Sequence, residues 1–141
     1  LSTRSSQEIK GILSITNDLE RVADIILRLS NDLKRKSKYD LKFTNDQKED
    51  LKIMFQALES AFDTMFENLK MDYDKVQLAQ ALSDEENVNK TLKKLSKKHL
   101  SSIDTKGYDV KLGIVYRDVL YGLEKVGDHV INVTEGITGT D

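Results

Sequence analysis

Apolar residues recur along the first third of the chain at alternating intervals of three and four. They are Ile12, Ile15, Leu19, Val22, Ile26, Leu29 and Leu33. Only a helix brings that spacing onto one stripe. The sequence has no proline, so nothing forces a break in a long helix. A helix is predicted from Ser5 to Lys36, closed by the basic turn Lys34, Arg35 and Lys36 against the negative end of the helix dipole.

Three further helices follow from the same pattern. Thr44 and Gln47 fit a capping box that starts the second, whose buried stripe is Leu51, Met54, Leu58, Phe62, Met65 and Leu69. A phase change, with Asp72 and Asp74 as candidate caps, places a turn at Met71 to Asp74. The third helix runs to about Leu100, with Leu78, Leu82, Val88, Leu92 and Leu95 on its core side. Gly107 sits in the next loop, and Asp109 can cap a fourth helix that ends near Ile137. Helices of about 28 residues are about 42 Å long. Short loops favour antiparallel neighbours, hence an all-α, antiparallel up-down four-helix bundle.

The fourth stripe is Val119, Leu123, Val126, Val130, Val133 and Ile137. A shift of 104 positions superimposes it on Ile15, Leu19, Val22, Ile26, Leu29 and Leu33. The centres match in detail: Leu19-Glu20-Arg21-Val22-Ala23-Asp24 against Leu123-Glu124-Lys125-Val126-Gly127-Asp128. Two amphipathic helices can share a stripe by chance. A shared Glu and Asp four apart, with a basic residue between them, indicates an internal repeat about an approximate two-fold axis.

Composition bounds the chemistry. The chain has 141 residues, enough for one domain, 38% of them hydrophobic and 33% charged. It lacks cysteine, which excludes disulfides, thiolate metal sites and thiol nucleophiles. Its net charge of −2 argues against a nucleic-acid binder. No apolar run approaches the roughly 20 residues of a membrane span. The chain begins at Leu1 and not at Met.

Glu20 and Asp24 share one helix face away from the apolar stripe, so they are expected at or near the surface, and Glu124 and Asp128 repeat that spacing. Oxygen ligands so spaced suit hard cations such as Mg²⁺, Ca²⁺, Mn²⁺ or iron. The plainer reading pairs these acids with nearby Lys or Arg on a wet face. His99 is expected as a partly buried, hydrogen-bonded histidine, and His129 as a boundary residue beside Asp128. No Glu-x-x-His motif of a ferritin-like di-iron bundle occurs. No catalytic triad is arguable, and an enzyme is the least expected class. Lysines 90, 93, 94, 97 and 98 could meet anionic lipid, against the plainer reading of a solvated helix end. Gly122, Gly127 and Gly136 lie inside a helix, where close packing is the reason to keep them.

Asp18-Leu19-Glu20-Arg21-Val22-Ala23-Asp24 and Gly122-Leu123-Glu124-Lys125-Val126-Gly127-Asp128-His129 resemble the two signature segments of PhoU proteins. In that family each signature lies on the third helix of a three-helix repeat. The resemblance spans about Gln7 to Ile137 and corresponds to the last four of six helices. Leu92 to Leu100, the Gly107 loop and the Glu124 helix resemble the variant fused to sodium/phosphate cotransporters. The resemblance therefore implies that residues 1–141 are a PhoU-like piece of a longer membrane protein. It implies a cytoplasmic domain, at the bacterial inner membrane, that controls phosphate transport. Its implied partner is an upstream transmembrane transport domain of the same chain; an apolar groove left by the two absent helices would add a homodimer, and the lysine cluster a contact with anionic lipid. It implies metal ligation by Glu20, Asp24, Glu124 and Asp128, with divalent or iron cations. A companion motif falls on Glu85 and Asn89, where Asn replaces the usual acid. A stand-alone PhoU-type regulator is the second reading, and a helical adaptor without metal is the third.

Overall fold

The structure is a computed structural model, and it describes residues 2–139. Four helices account for most of it: α1 (Thr3–Lys38), α2 (Asn45–Leu69), α3 (Leu78–Ser102) and α4 (Val110–Thr138). A 3-10 turn, Tyr73–Lys75, separates α2 from α3. The predicted caps form. The Thr44 hydroxyl accepts from the Gln47 amide while the Gln47 side chain accepts from the Thr44 amide. The Asp109 carboxylate accepts from the Leu112 amide at 3.1 Å. Each bond satisfies an amide that the first helical turn leaves without a partner.

The helices alternate in direction, as the short loops require. Both the α1–α2 and α3–α4 loops lie at one end of the bundle. Phe43 from the first loop stacks edge-on against Tyr116 of α4, 6.0 Å between centroids. Tyr116 in turn meets His99 of α3 at 5.1 Å. Lys98 at the end of α3 reaches Asp50 at the start of α2, 2.8 Å away.

The helices do not share the core equally. α4 packs against α1, α2 and α3, while α1 rests chiefly on α4. The sequence explains why α4 is central. Its buried residues include Tyr116, Val119, Leu120, Leu123, Val126, Val130, Ile131 and Val133, which surround most of the helix rather than form one stripe. From α2 the core takes Leu51, Met54, Leu58 and Met65, and from α3 it takes Val88 and Leu95. Asn68 buries its amide to cap the entry to α3, accepting from the Gln77 amide at 2.9 Å.

α1 differs from expectation. Ile15, Val22 and Leu29 face α4, but Ile12, Leu19, Ile26 and Leu33 from the same predicted stripe stay exposed. The buried row runs instead through Ile15, Asp18, Val22, Ile25 and Leu29. A helix gripped by one neighbour buries a narrow seam, not the full stripe. The α3 stripe shifts in the same way: Ala81 and Asp84 are buried and Leu82 is exposed.

Close approach of α1 to α4 requires small residues on both. A Cβ added to Gly122 would lie 2.6 Å from a Leu29 methyl carbon. One added to Gly11 would lie 2.8 Å from the Gly136 carbonyl oxygen, which is backbone and cannot rotate away.

The Tyr116 ring is 2% exposed, and its hydroxyl has no hydrogen-bond partner among the described residues. Burial, followed by the Asp50 charge, pushes that hydroxyl up to about 12. An unpaired buried hydroxyl costs stability. Tyr116→Phe is expected to raise the melting temperature, corresponding to a gain of about 1 kcal/mol. Tyr116→Ala should cost about 3–5 kcal/mol through the lost ring. Thermal unfolding of both variants checks this pair of outcomes.

Candidate functional site

The four predicted ligands divide into two unlike pairs. Glu20 and Asp24 are exposed on α1, as expected. Neither makes an ion pair or hydrogen bond with another described residue. Glu124 and Asp128 are half-buried on α4, near the surface but less exposed than the α1 pair. The physical reason is the position of α4, which has neighbours on three sides, while α1 has one.

Glu124 and Asp128 do not stand alone. Glu85 of α3 approaches them, with Glu135 on the same side. The Glu124 carboxyl is raised above its ordinary value, chiefly by burial and then by the charge of Asp128. A hydrogen bond from Glu124 to Asp128 and the charge of Glu85 act in the same direction, and Lys125 opposes them. Glu85 is raised too, by burial first and then by Asp128 and Glu135. Lys125 supplies a neighbouring cation, 3.6 Å from Asp128. Repulsion and burial at this helix junction therefore make Glu124 and Glu85 hold their protons more tightly. Beside Glu85 lies a small cavity of about 10 Å³ bounded by Ala61, Ala81, Gly127 and Thr134. It is barely the size of one water. The Thr134 hydroxyl in its wall has no hydrogen-bond partner among the described residues.

The fit to a metal is incomplete. Among the described residues no three His, Cys, Asp or Glu side chains come close enough to hold one ion. Glu20 and Asp24 do not join Glu124 and Asp128 around a common point. Asn89 is exposed and adds no acid to Glu85.

The buried acid on α1 is Asp18, which the sequence pattern marks only as a neighbour of Glu20. It is 8% exposed. It lies 2.9 Å from Nδ1 of His129 and accepts from the Asn132 amide nitrogen at 3.4 Å. These bonds join α1 to α4. The signal for it in the sequence is its register: Asp18 falls three residues after Ile15 and four before Val22, on the buried row. His129 is thus a boundary histidine with a buried partner. His99 is partly buried as expected, 3.3 Å from the Tyr108 hydroxyl. Burial, then the Arg117 charge, lowers it below the usual histidine range. Asp84 is likewise buried, accepting from Thr64 and Gln80.

A second feature is an open groove between α1 and α2, floored by α4, with a volume of about 860 Å³. Ile26, Leu29, Leu33, Phe55, Phe62 and Phe66 supply its apolar walls.

The sequence pattern of the PhoU domain matches residues 51–137. The chain belongs to the PhoU domain family. The matched segment covers nearly all of α2, α3 and α4, the three helices that share the core, together with the Glu85/Glu124/Asp128 cluster. PhoU membership carries a regulatory role in phosphate transport. No curated protein and no solved structure matches the chain.

The cluster gives the PhoU domain a pH signature. An unfolded Glu ionises near its ordinary value of 4.5, and folded Glu124 ionises higher. The folded form therefore holds the proton more tightly. Stability contributed by this group is full below the unfolded value and is lost as pH rises through the folded one. Glu124→Gln is expected to raise the melting temperature at pH 7 and to give no gain at pH 4 or below. Thermal melts at the two pH values check the sign.

Proposed function

We propose that this PhoU domain is the cytoplasmic regulatory part of a sodium-dependent phosphate cotransporter at the bacterial inner membrane. It acts on a transmembrane transport domain of the same chain. The family's role in phosphate transport supports the regulatory half of the reading. The resemblance of Leu92–Leu100, the Gly107 loop and the Glu124 helix to the cotransporter-fused variant supports the rest. No helix among the described residues is long and apolar enough to cross a membrane. In this reading the domain controls transport through contact rather than by carrying phosphate.

The observation that carries the contact mechanism is the α1–α2 groove. Phe55 and Phe66 in its walls are 52% and 51% exposed. Its opening, about 860 Å³ and lined mainly by aliphatic and phenylalanine side chains, fits one face of an amphipathic helix. Aromatic anchors of this kind dominate the energetics of helix docking. A helix of the transport domain seated here would be released or held as α1 shifts on α4. Half-buried Glu124 lies on the helix that α1 grips, so its protonation is positioned to bias that shift. A second copy of the chain is the competing occupant of the same groove.

The double variant Phe55→Glu with Phe66→Glu tests this in cells that depend on this protein for phosphate. Both positions are exposed, so circular dichroism should remain helical. Labelled phosphate uptake is expected to stay sodium-dependent but to lose its response to phosphate supply. An unchanged response would contradict the groove mechanism. Uptake that needs no sodium would remove the cotransporter half and leave a stand-alone regulator. Loss of a dimer on sedimentation, with normal regulation, would assign the groove to self-association.

A further inference from the structure

The fold sorts charge end to end. The up-down topology brings residues 33–52 and 93–118 to the end that carries the α1–α2 and α3–α4 loops. These segments have a net charge of +7. The remaining described segments, 2–32, 53–92 and 119–139, have a net charge of −8. The near-neutral total hides this separation. Antiparallel helices present alternating dipole ends, so their backbone dipoles largely cancel at each end of the bundle. The asymmetry comes from side chains.

The basic end also exposes apolar side chains. Around the α3–α4 turn, Leu100, Ile103, Val110 and Ile114 are 64%, 43%, 64% and 57% exposed. Tyr39, where α1 ends, is 69% exposed. Exposed Lys97, Lys106 and Lys111 stand in the same segment. No ion pair joins these three lysines to any described residue. Lys98, by contrast, is held by Asp50.

We infer that this loop-bearing end docks onto an anionic phospholipid surface, with the α3–α4 turn entering the headgroup layer. The inference goes beyond the cotransporter reading and does not depend on it. The chemistry selects lipid over nucleic acid. Basic residues at this end are nearly all lysine, with Arg35 and Arg117 the exceptions. Lysine is a hydrated point charge suited to a diffuse anionic surface, whereas bidentate phosphate and base recognition favours arginine. Exposed aliphatic side chains gain from burial among acyl chains and gain little on a polar duplex. Charge separation sets the orientation. A helix the length of α4 spans about 43 Å. Most of the net-acidic remainder then lies more than one Debye length, about 8 Å, from a bilayer touched by the basic end. Lying flat would bring the acids against the anionic surface, so the bundle stands end-on.

The test is co-sedimentation of the 141-residue chain with vesicles of phosphatidylcholine alone or with 30% phosphatidylglycerol, as a function of salt. Binding is expected only to the mixed vesicles, falling as salt rises. The triple variant Lys97→Glu, Lys106→Glu, Lys111→Glu is expected to lower partitioning at least ~10-fold, since each basic residue near the surface contributes roughly fivefold. Leu100→Ser with Ile114→Ser should lower the binding that survives high salt. Lys70→Glu with Lys75→Glu, at the opposite end, should leave binding unchanged. Circular dichroism of each variant confirms the helix content. Three results would overturn the inference: equal binding to neutral vesicles, an equal loss from Lys70→Glu with Lys75→Glu, or tighter binding to duplex DNA than to mixed vesicles at the same salt.

Discussion

Every other element depends on the burial of α4. Its apolar residues surround most of the helix, and it alone packs against all three of the others. A helix apolar on most sides is stable only when enclosed. α2 and α3 enclose two sides and α1 the third. The same enclosure half-buries Glu124 and Asp128 and brings Glu85 beside them. It also leaves α1 with a single seam, locked by Asp18 to His129 and Asn132. Hub, acidic cluster and an outer helix held through a single extensive seam are thus consequences of one packing arrangement.

Much of this was legible in the sequence. The Thr44–Gln47 capping box, the Asp109 cap, the Gly107 loop and the α4 stripe all appear where the spacing placed them. Local chemistry decides such features, and local chemistry is written in neighbouring residues. The family signature was equally legible on α4, within the matched segment. Less legible was which row of α1 turns inward. Ile12, Leu19, Ile26 and Leu33 fit the stripe as well as Ile15, Val22 and Leu29. Only the number of neighbouring helices decides between the rows, and that is a tertiary property. Burial of Asp18 was hidden for the same reason, because its partners lie 111 and 114 residues away. The unequal exposure of the two acidic pairs follows the same rule: identical spacing on α1 and α4 meets different surroundings.

The surface divides into three regions with separate physical characters. One end is basic with exposed apolar side chains around the α3–α4 turn, the remainder is net acidic, and the α1–α2 groove is mainly apolar with Lys34, Glu59 and Asp63 among its lining residues. In the proposed reading, bilayer, partner helix and acidic cluster meet different parts of one bundle, and α4 is the helix common to all. Coupling of this kind needs an element with two positions. α1 is suited to that role, because only one seam holds it.

The most direct test of this arrangement is native-state hydrogen exchange on the full chain, read helix by helix. Amides of α4 are predicted to exchange only on global unfolding. Those of α1 should exchange faster, through local release, and Asp18→Ala should accelerate α1 alone by roughly tenfold or more, the equivalent of a lost buried hydrogen bond. Protection of α1 equal to that of α4, or an equal acceleration of α2 and α3 in Asp18→Ala, would contradict the account and make the four helices one cooperative unit.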